Sequence, residues 1–374
     1  MIPRSFLKCN QHFQQLQVRA YSKAPTASTP PTSPFSPRHL LSCADLSSRE
    51  LASIVKRAYR LKQQLKKGRR VEHGLSGKTV AMIFNKRSTR TRVSTESATA
   101  ALGGHSMFLG KDDIQLGVNE SARDTSTVIS SMVAAMVARV SAHEDVAELA
   151  KHSTVPVINA LSDEFHPLQA ITDCLTLYET FSSKPRELDL GLKGLQIAWV
   201  GDANNVLFDL AIAAGKLGIN LHVATPSEHS IPNSMLAQIQ SPDPEARISG
   251  SLLETNVPEE AVKDADVIFT DTWVSMGQEA EKNKRLQAFD GYQVTEDLAR
   301  RGGANEGWKF MHCLPRHPEE VSDEVFYHPQ RSLVFTEAEN RLYTMISVLW
   351  VLVARQGRIE ASNDSEQAPS NTDE

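Results

Sequence analysis

The sequence predicts an α/β protein of two lobes, each a mainly parallel sheet covered by helices. Short apolar runs with β-branched residues alternate along the chain with segments of helical period, which is the order expected of parallel strands joined by helices. The 374 residues are enough for about two domains of ordinary size. A polar segment at residues 182–194 separates the two alternating regions and predicts a hinge. We expect the last helix to return to the first lobe.

Bulk composition favours a globular protein that binds small molecules. Apolar residues make up 40% of the chain and charged residues 23%, and the formal net charge of −5 gives no basic field for nucleic acid. No apolar run is long enough to span a bilayer, so we expect no membrane partner. The four cysteines are scattered without a Cys-x-x-Cys pair, which predicts neither a disulfide framework nor a metal site.

The N-terminal segment differs in composition from the rest of the chain. No acidic residue precedes Asp45, and basic residues are spread among apolar ones before it. This composition predicts a mitochondrial transit peptide over residues 1–24, hence a matrix location; a disordered cytosolic tail is the alternative. Residues 25–37 are rich in Pro, Ser and Thr and predict a flexible spacer. The acidic, polar residues 357–374 predict a disordered tail.

The spacing of apolar residues predicts the order of helices and strands in the first half of the chain. Ser47 and Glu50 have the spacing of a capping box, and the apolar stripe after them predicts a helix as far as Leu61. Strands are predicted at residues 78–84, 105–109, 136–140 and 155–158, and further helices at residues 93–102, 125–135 and 143–152. The segment between the second strand and the next helix has no clear period and is expected to be a loop.

The run Ser88-Thr-Arg-Thr-Arg92 follows the first predicted strand and precedes a helix. The free N–H groups and positive end of a helix N-terminus favour anions. Hydroxyl groups and closely spaced arginines strengthen that preference. We therefore expect a phosphate site here. An N-capped helix with solvated arginines is the alternative.

Two later strand ends supply candidates for recognising a carbonyl group. Arg139 interrupts an apolar run, and a buried arginine needs a partner. His166 and Gln169 follow the fourth predicted strand, with Pro167 suited to the first turn of a helix. Ligands of open α/β sheets collect at the carboxyl ends of the strands, so these side chains should meet the anion run. Taken singly each is more often structural, and a satisfied core histidine is the alternative for His166.

The second half begins with a strand at residues 195–200, which runs through a turn into a helix at Asn205. This order is also that of a dinucleotide-binding fold. Of the G-x-G-x-x-G spacing, however, only Gly201 is present, so a nicotinamide enzyme is the alternative rather than the main hypothesis. Asn205 suits a ligand carboxylate or a plain helix cap.

Two further strands end in reactive side chains. One ends at Asp271, whose carboxylate suits an ammonium group or caps the next turn. The segment Ser275-Met-Gly277 after it is plausible as a closing loop. The other strand leads to Cys313, for which a buried inert thiol is the alternative. The last helix is predicted from Glu337 to Val353.

Taken together, three motifs resemble the aspartate and ornithine carbamoyltransferases. They are Ser88-Thr-Arg-Thr-Arg92, Arg139 with His166-Pro-x-Gln169, and His312-Cys-Leu-Pro-Arg316. The run from Asp271 to Gly277 resembles the ornithine branch of that family. The similarity extends from about residue 39 to about residue 355, so only the two tails lie outside it.

The resemblance implies transfer of the carbamoyl group of carbamoyl phosphate to the δ-amine of L-ornithine, giving L-citrulline and phosphate without a metal or organic cofactor. It implies a homotrimer with active sites at subunit interfaces. Residues 38–181 would bind carbamoyl phosphate, residues 182–340 would bind ornithine, and residues 341–356 would form a helix packed on the first domain. A non-catalytic binding or regulatory relative with the same fold is the alternative.

Matched position by position, the resemblance assigns a role to each candidate. Phosphate contacts fall to Ser88, Thr89, Arg90 and Thr91, with Gln115 reaching the ligand of a neighbouring subunit. The carbamoyl side, including the backbone carbonyl of Leu314, falls to Arg139, His166, Gln169, Cys313, Leu314 and Arg341. Ornithine contacts fall to Asn205, Asp271, Ser275 and Met276. The expected catalytic residues are Arg90, Arg139, His166, Asp271 and Cys313.

Overall fold

The structure is a computed structural model that describes residues 37–114, 120–182, 190–241, 250–274 and 281–359. Within these ranges the chain forms two sheets in which every pair of neighbouring strands is parallel. The predicted two-lobed α/β architecture is confirmed. None of the helices in the described ranges has the length and apolar character needed to cross a membrane.

The first lobe carries a four-stranded sheet in the order β2-β1-β3-β4. Its elements are α1 (Ser48–Lys66), β1 (Thr79–Phe84), α2 (Thr89–Ala101), β2 (His105–Gly110), α3 (Ala122–Ser130), β3 (Ala135–Arg139), α4 (His143–His152), β4 (Val157–Leu161) and α5 (Pro167–Phe181). Alternate side chains of β1 enter two different cores, Val80 and Met82 on one face and Ala81 and Ile83 on the other. Helices thus cover both faces, which explains why the strand is a continuous apolar run.

The second lobe carries a five-stranded sheet in the order β7-β6-β5-β8-β9. Its elements are β5 (Gln196–Val200), α6 (Asn205–Leu217), β6 (Asn220–Ala224), α7 (Asn233–Ile239), β7 (Leu252–Thr255), α8 (Pro258–Val262), β8 (Val267–Phe269), α9 (Lys282–Ala288), α10 (Glu296–Gly302), β9 (Lys309–Met311) and α11 (Asp323–Phe326). Central strand β5 again divides its side chains between two cores, Trp199 on one side and Ala198 on the other.

The last helix, α12 (Val334–Leu349), packs on α1, α2 and α5 of the first lobe, as predicted. It continues as a π-helical turn over Trp350–Ala354. Helix α5 also packs on α6 of the second lobe, and one apolar core runs through this contact from one lobe to the other. The lobes therefore share a core on one side, and a cleft can open only on the other side.

Some boundaries differ from the sequence prediction for local reasons. Helix α2 begins at Thr89 because Ser88 caps it, although its first turn is too polar to show a helical period. Helix α3 begins and ends earlier than predicted, since Ser121 Oγ accepts from the Asp124 N–H at 3.1 Å and so fixes its start. Helix α12 likewise begins before Glu337. Most of the predicted hinge lies outside the described residues.

Candidate functional site

A cavity of about 540 Å³ lies between the lobes at the carboxyl ends of their strands. One wall comes from segments that follow β1, β3 and β4, and the other from segments that follow β5, β8 and β9. This is the position at which open α/β sheets bind ligands. The structure brings together most of the predicted residues, and the cavity is lined by Ser88, Arg90, Thr91, Arg139, His166, Gln169, Asn205, Asp271, Cys313, Leu314 and Arg341.

Four predicted residues are not placed in this lining. Gln115, Ser275 and Met276 lie outside the described residues. Thr89 is described, but its side chain is exposed and does not line the cavity. Thr89 is the first residue of α2, so it stands at the positive end of that helix whatever its side chain does.

The start of α2 places one arginine in the cavity and another outside it. Arg90 reaches across the cleft and donates to the carbonyl oxygen of Leu314 in the second lobe. Arg92 instead pairs with Glu96 at 2.9 Å and lies 3.9 Å from the centre of the Phe108 ring. The alternative of solvated arginines therefore describes Arg92, whose side chain is 50% exposed, and not Arg90.

Three guanidinium groups converge on the cavity: Arg90, Arg139 and Arg341. Burial lowers the pKa of Arg139 to about 10, and the charge of Arg90 acts in the same direction. Burial also lowers the pKa of Arg341 to about 10. Both groups remain charged at neutral pH, and no described carboxylate pairs with any of the three. Buried cations need compensation, so the arrangement calls for a multiply charged anion.

His166 is held neutral beside these cations. Burial lowers its pKa well below the ordinary histidine value, and the charges of Arg341, Arg139 and Arg90 lower it further. Its Nε2 accepts from Arg341 at 3.2 Å, which assigns the ring proton to Nδ1. Nδ1 has no partner among the described residues. The predicted alternative of a fully satisfied core histidine does not fit, because one N–H is left for a ligand.

The second lobe presents a carboxylate held by neutral donors. Asp271 accepts from the Cys313 thiol at 3.2 Å and from Asn204 Nδ2 at 2.8 Å. Burial raises the pKa of Asp271 and that of the Cys313 thiol. A buried carboxylate without a cationic neighbour in contact is a site for an ammonium group.

The loop that carries Cys313 is fixed from behind by His312. His312 Nδ1 accepts from the Leu314 N–H at 2.9 Å, and His312 Nε2 lies 3.1 Å from Glu320 Oε2. Leu314 adopts a positive φ of 63°, which turns its carbonyl oxygen toward Arg90. Glu320 also accepts from the Trp273 N–H at 3.3 Å and so joins this loop to the segment after Asp271.

Asn204 is a site residue that the sequence reasoning missed. The prediction chose Asn205, but Asn205 Nδ2 donates across the cleft to the Ser162 carbonyl oxygen at 2.5 Å. Asn204 is the N-cap of α6, with its Oδ1 accepting from Val206 and its Nδ2 bound to Asp271. The available signal was the preference for asparagine at an N-cap, which applies to either residue of the pair.

Gly201 does not serve as a dinucleotide glycine. Its φ is +146°, and a Cβ at this position would lie 3.0 Å from Thr270 Oγ1 and 3.1 Å from Trp273 Nε1. The glycine therefore allows the end of β5 to pack closely against the end of β8.

Family models place both lobes in one family. The model described as "Aspartate/ornithine carbamoyltransferase, carbamoyl-P binding domain" matches residues 38–179, and that described as "Aspartate/ornithine carbamoyltransferase, Asp/Orn binding domain" matches residues 193–352.

Relatives and solved structures agree with these models. "Ornithine carbamoyltransferase, mitochondrial" of Aspergillus terreus is 61% identical over 96% of this chain and 100% of its own length. The protein of the same name in Emericella nidulans is 63% identical over 92% of this chain and 96% of its own. A mitochondrial ornithine carbamoyltransferase structure from Coccidioides immitis covers 87% of this chain and 100% of its own with 61% identity and a TM-score of 0.81.

A more distant structure, ornithine carbamoyltransferase from Pyrococcus furiosus, covers 85% of this chain and 98% of its own, with 43% identity and a TM-score of 0.77. The matches span both lobes and nearly the full length of each relative. The chain belongs to the aspartate/ornithine carbamoyltransferase family.

Proposed function

We propose that this protein transfers the carbamoyl group of carbamoyl phosphate to the δ-amine of L-ornithine, giving L-citrulline and phosphate. The observation that carries the proposal is the division of charge across one cavity. Arg90, Arg139 and Arg341 converge at its first-lobe end, and Asp271 is buried at its second-lobe end. An anionic donor and a cationic acceptor would thus meet between the lobes. The relatives that share most of this sequence are named for the same activity.

The first-lobe end suits carbamoyl phosphate. The capped start of α2 and the hydroxyl groups of Ser88 and Thr91 supply donors for the phosphate, together with Arg90. Arg139 and the free N–H of His166 are donors for the carbamoyl oxygen. These donors stand ready before the reaction, and each well-placed one is worth about 3–4 kcal/mol when negative charge develops on that oxygen.

The second-lobe end favours ornithine over aspartate. Aspartate has a second carboxylate, for which the site would have to offer further cations near the reacting amine. Asp271 stands there instead, and its contacts are the neutral groups of Asn204 and Cys313. Of the other acids that line this wall, Asp202 is already paired with Arg285 at 2.5 Å. A side-chain ammonium is therefore the acceptor that complements Asp271.

The reaction requires the amine in its neutral form. The amine nitrogen attacks the carbamoyl carbon, the new N–C bond forms, and the C–O bond to phosphate breaks. Free alkyl ammonium groups titrate near 10.4, so the site has to favour loss of a proton. That first proton leaves before attack. After the N–C bond has formed the nitrogen carries one further proton to lose, and the departing phosphate held by Arg90 accepts it as the C–O bond breaks. Closure of the lobes would exclude water from this transfer.

Cys313 acts as a positioning residue rather than as a base or nucleophile. Burial raises the pKa of its thiol well above the ordinary value, and the charge of Asp271 adds to this effect. The thiol therefore stays protonated and donates to Asp271 Oδ1. A protonated thiol cannot take a proton from the amine, so Cys313 contributes by orienting the acceptor through Asp271.

The assembly is a homotrimer in the mitochondrial matrix. An apolar groove next to the edge strand β2 supports association, since Met107, Val128 and Met132 in it are 44%, 49% and 69% exposed. The N-terminal composition and the mitochondrial names of the relatives support the location. For Gln115, Ser275 and Met276, which lie outside the described residues, the proposed roles are those that the family resemblance implies: the ligand of a neighbouring subunit for Gln115, and ornithine for the other two.

A product assay with three acceptors tests the proposal. Purified protein is incubated with carbamoyl phosphate and with ornithine, aspartate or putrescine, and each carbamoylated product is quantified. We expect rapid citrulline formation, no carbamoyl aspartate, and little product from putrescine, which lacks the α-carboxylate. Product from aspartate alone, or from none of the three, would overturn the assignment.

A further inference from the structure

Behind the cavity, two buried acids hold the amide of Gln169. Gln169 Nε2 donates to Asp173 Oδ1 and to Glu337 Oε1, each at 2.8 Å. Asp173 lies one turn further along α5, and Glu337 lies in the first turn of α12. Their exposed fractions are 0% and 1%. Neither acid lines the cavity, and the proposed mechanism uses neither.

These contacts fix which way the amide faces. Both N–H bonds of Gln169 are used by the two acids, and its Oε1 accepts from Arg341 Nη1 at 2.5 Å. The reversed amide would point its N–H bonds at the guanidinium group and its oxygen at the acids. Gln169 therefore keeps only acceptor capacity, on the second lone pair of its oxygen.

Two ionised carboxylates are not stable in this position. The charged and titratable groups that interact with the pair are Arg341 on α12, Cys174 on α5, Asp271 after β8 and Cys313 after β9. Of these only Arg341 is cationic, and it bonds to His166, Gln169 and Thr91 rather than to either acid. Burial raises the pKa of both carboxyls, that of Asp173 to about 7. The pair keeps a proton at neutral pH.

The hydrogen bonds indicate which oxygen carries the proton. Both Glu337 oxygens accept N–H bonds, Oε1 from Gln169 and Oε2 from the His312 backbone at 3.1 Å. Asp173 Oδ1 accepts from Gln169 as well. Asp173 Oδ2 is buried, and no N–H of the described residues reaches it. Asp173 also hydrogen-bonds to Glu337, and a proton on Oδ2 would make Asp173 the donor of that bond while both Glu337 oxygens keep their N–H bonds.

We propose that Asp173 and Glu337 share one proton, carried on Asp173 Oδ2, and that this pair holds the Gln169 oxygen as an acceptor for the NH₂ of the carbamoyl group. The inference rests on the proposed function, because it takes carbamoyl phosphate as the ligand. Asp173 and Glu337 are positioning residues. They make the site prefer a carbamoyl group over an acetyl group, which has the same size and no N–H.

Substitutions at the two acids should differ in their effects. In Asp173→Asn the amide NH₂ replaces the O–H donor, whereas Asp173→Leu removes it. Glu337→Gln puts an NH₂ group in place of one of the two oxygens, each of which already accepts one N–H bond. Carbamoyl phosphate and acetyl phosphate binding are measured by calorimetry without ornithine. We expect a loss of no more than about fivefold in carbamoyl phosphate affinity for D173N and of about 10- to 100-fold for D173L and E337Q.

Acetyl phosphate affinity should change by less than about threefold in all these variants, since it makes no hydrogen bond to the Gln169 oxygen. Glu179→Gln is the matched control. Glu179 lies on the same helix and pairs with Lys62 at 2.8 Å, so this variant should melt earlier and keep its ligand preference. Equal losses for D173N and D173L, or parallel losses for the two phosphates, would overturn the proposal.

Infrared spectroscopy tests the proton directly, even if D173L and E337Q do not fold. The difference spectrum of wild type minus D173N at neutral pH should contain the C=O stretch of one protonated carboxyl group. Its absence would overturn the proposal. Neither measurement uses ornithine. Wild-type protein that binds carbamoyl phosphate and forms no citrulline would therefore refute the proposed function alone.

Discussion

At the scale of single residues, burial rather than residue type decides which charged side chains act in the cavity. Arg90 and Arg92 stand two positions apart in the same motif, yet only Arg90 lines the cavity. Arg92 has its own carboxylate partner in Glu96. The guanidinium groups of Arg139 and Arg341 are lowered in pKa because they are buried. Burying these cations without a carboxylate partner is unfavourable, and a bound phosphate offsets that cost.

Replacing these two arginines separately tests that view. Arg90→Ala should lower kcat/KM for carbamoyl phosphate by at least about 1,000-fold, because it removes a charged donor to the phosphate that leaves. Arg92→Ala should lose less than about threefold, since exposed pairs contribute little. Initial rates of citrulline formation at saturating ornithine provide the comparison. Similar losses in the two variants would show that the motif acts as a general basic patch.

Most of the site could be predicted from the sequence, because its chemically reactive residues lie at or just after the ends of apolar strands. Arg139 ends an apolar strand, His166 and Asp271 follow apolar strands, and all three line the cavity. Asn204 could not be separated from Asn205, because both suit a helix start; both line the cavity, and only the fold shows that Asn204 holds Asp271 while Asn205 bonds to Ser162. The pairing of Gln169 with Glu337 joins residues far apart in the chain, and no local pattern encodes it.

At the scale of elements, helix starts position the polar groups on both walls. Ser88 caps α2 beside the first-lobe strands, and Asn204 caps α6 beside the second-lobe strands. Each cap satisfies helix N–H groups and also faces the cavity. The predicted start of α2 was too late because a polar first turn carries no apolar period, although an N-capped helix at this place was the alternative considered.

Two substitutions at Asn204 separate its structural and functional roles. Asn204→Ala should lower the free energy of unfolding by about 1 kcal/mol, because the α6 cap is lost. Asn204→Ser keeps a capping oxygen and should unfold within about 0.5 kcal/mol of wild type. Both variants lose the donor to Asp271, so both should raise the KM for ornithine by about 10-fold. Denaturant unfolding and steady-state kinetics measure the two effects.

The role of Asn204 in holding Asp271 would be contradicted if the KM for ornithine rose only in the variant that loses stability. If N204S bound ornithine as wild type does and N204A did not, the cap alone would explain the effect. Asn204 would then have no part in holding Asp271.

At the scale of the whole molecule, the lobes are joined by buried polar contacts as well as by a shared core. Asp209 of α6 accepts from the Cys43 backbone N–H at 2.7 Å, and the His166 backbone N–H also interacts with this carboxylate. Burial raises the pKa of Asp209 from 3.8 to about 7. The sequence could not reveal this contact, because an aspartate within an apolar helical run reads as a residue facing solvent.

This carboxyl predicts a pH dependence of stability with a defined sign. The folded-state pKa of Asp209 lies above its unfolded value, so the folded state binds more protons between pH 3.8 and about 7. Stability from this group is therefore present at acid pH and is lost as pH rises through that window. Relative to Asp209→Asn, the free energy of unfolding of wild type should fall by about 1 kcal/mol per pH unit.

Denaturant unfolding of wild type and D209N at intervals from pH 5 to pH 8 checks the sign. The two curves should converge toward acid pH and run parallel above about pH 7. Curves that stay parallel throughout would mean that Asp209 is ionised in the folded protein. The contact between the lobes would then need a cationic partner that the described residues do not supply.

An isotope label on the carbonyl carbon of carbamoyl phosphate shows directly whether the cleft joins an anionic carbamoyl donor to an ornithine amine. Carbamoyl phosphate labelled with ¹³C is mixed with ornithine and the protein, and carbon and phosphorus spectra are recorded in time. We expect the label to appear in the ureido carbon of citrulline, with one equivalent of phosphate released in step. Phosphate release without labelled citrulline, at a rate independent of ornithine, would contradict the account.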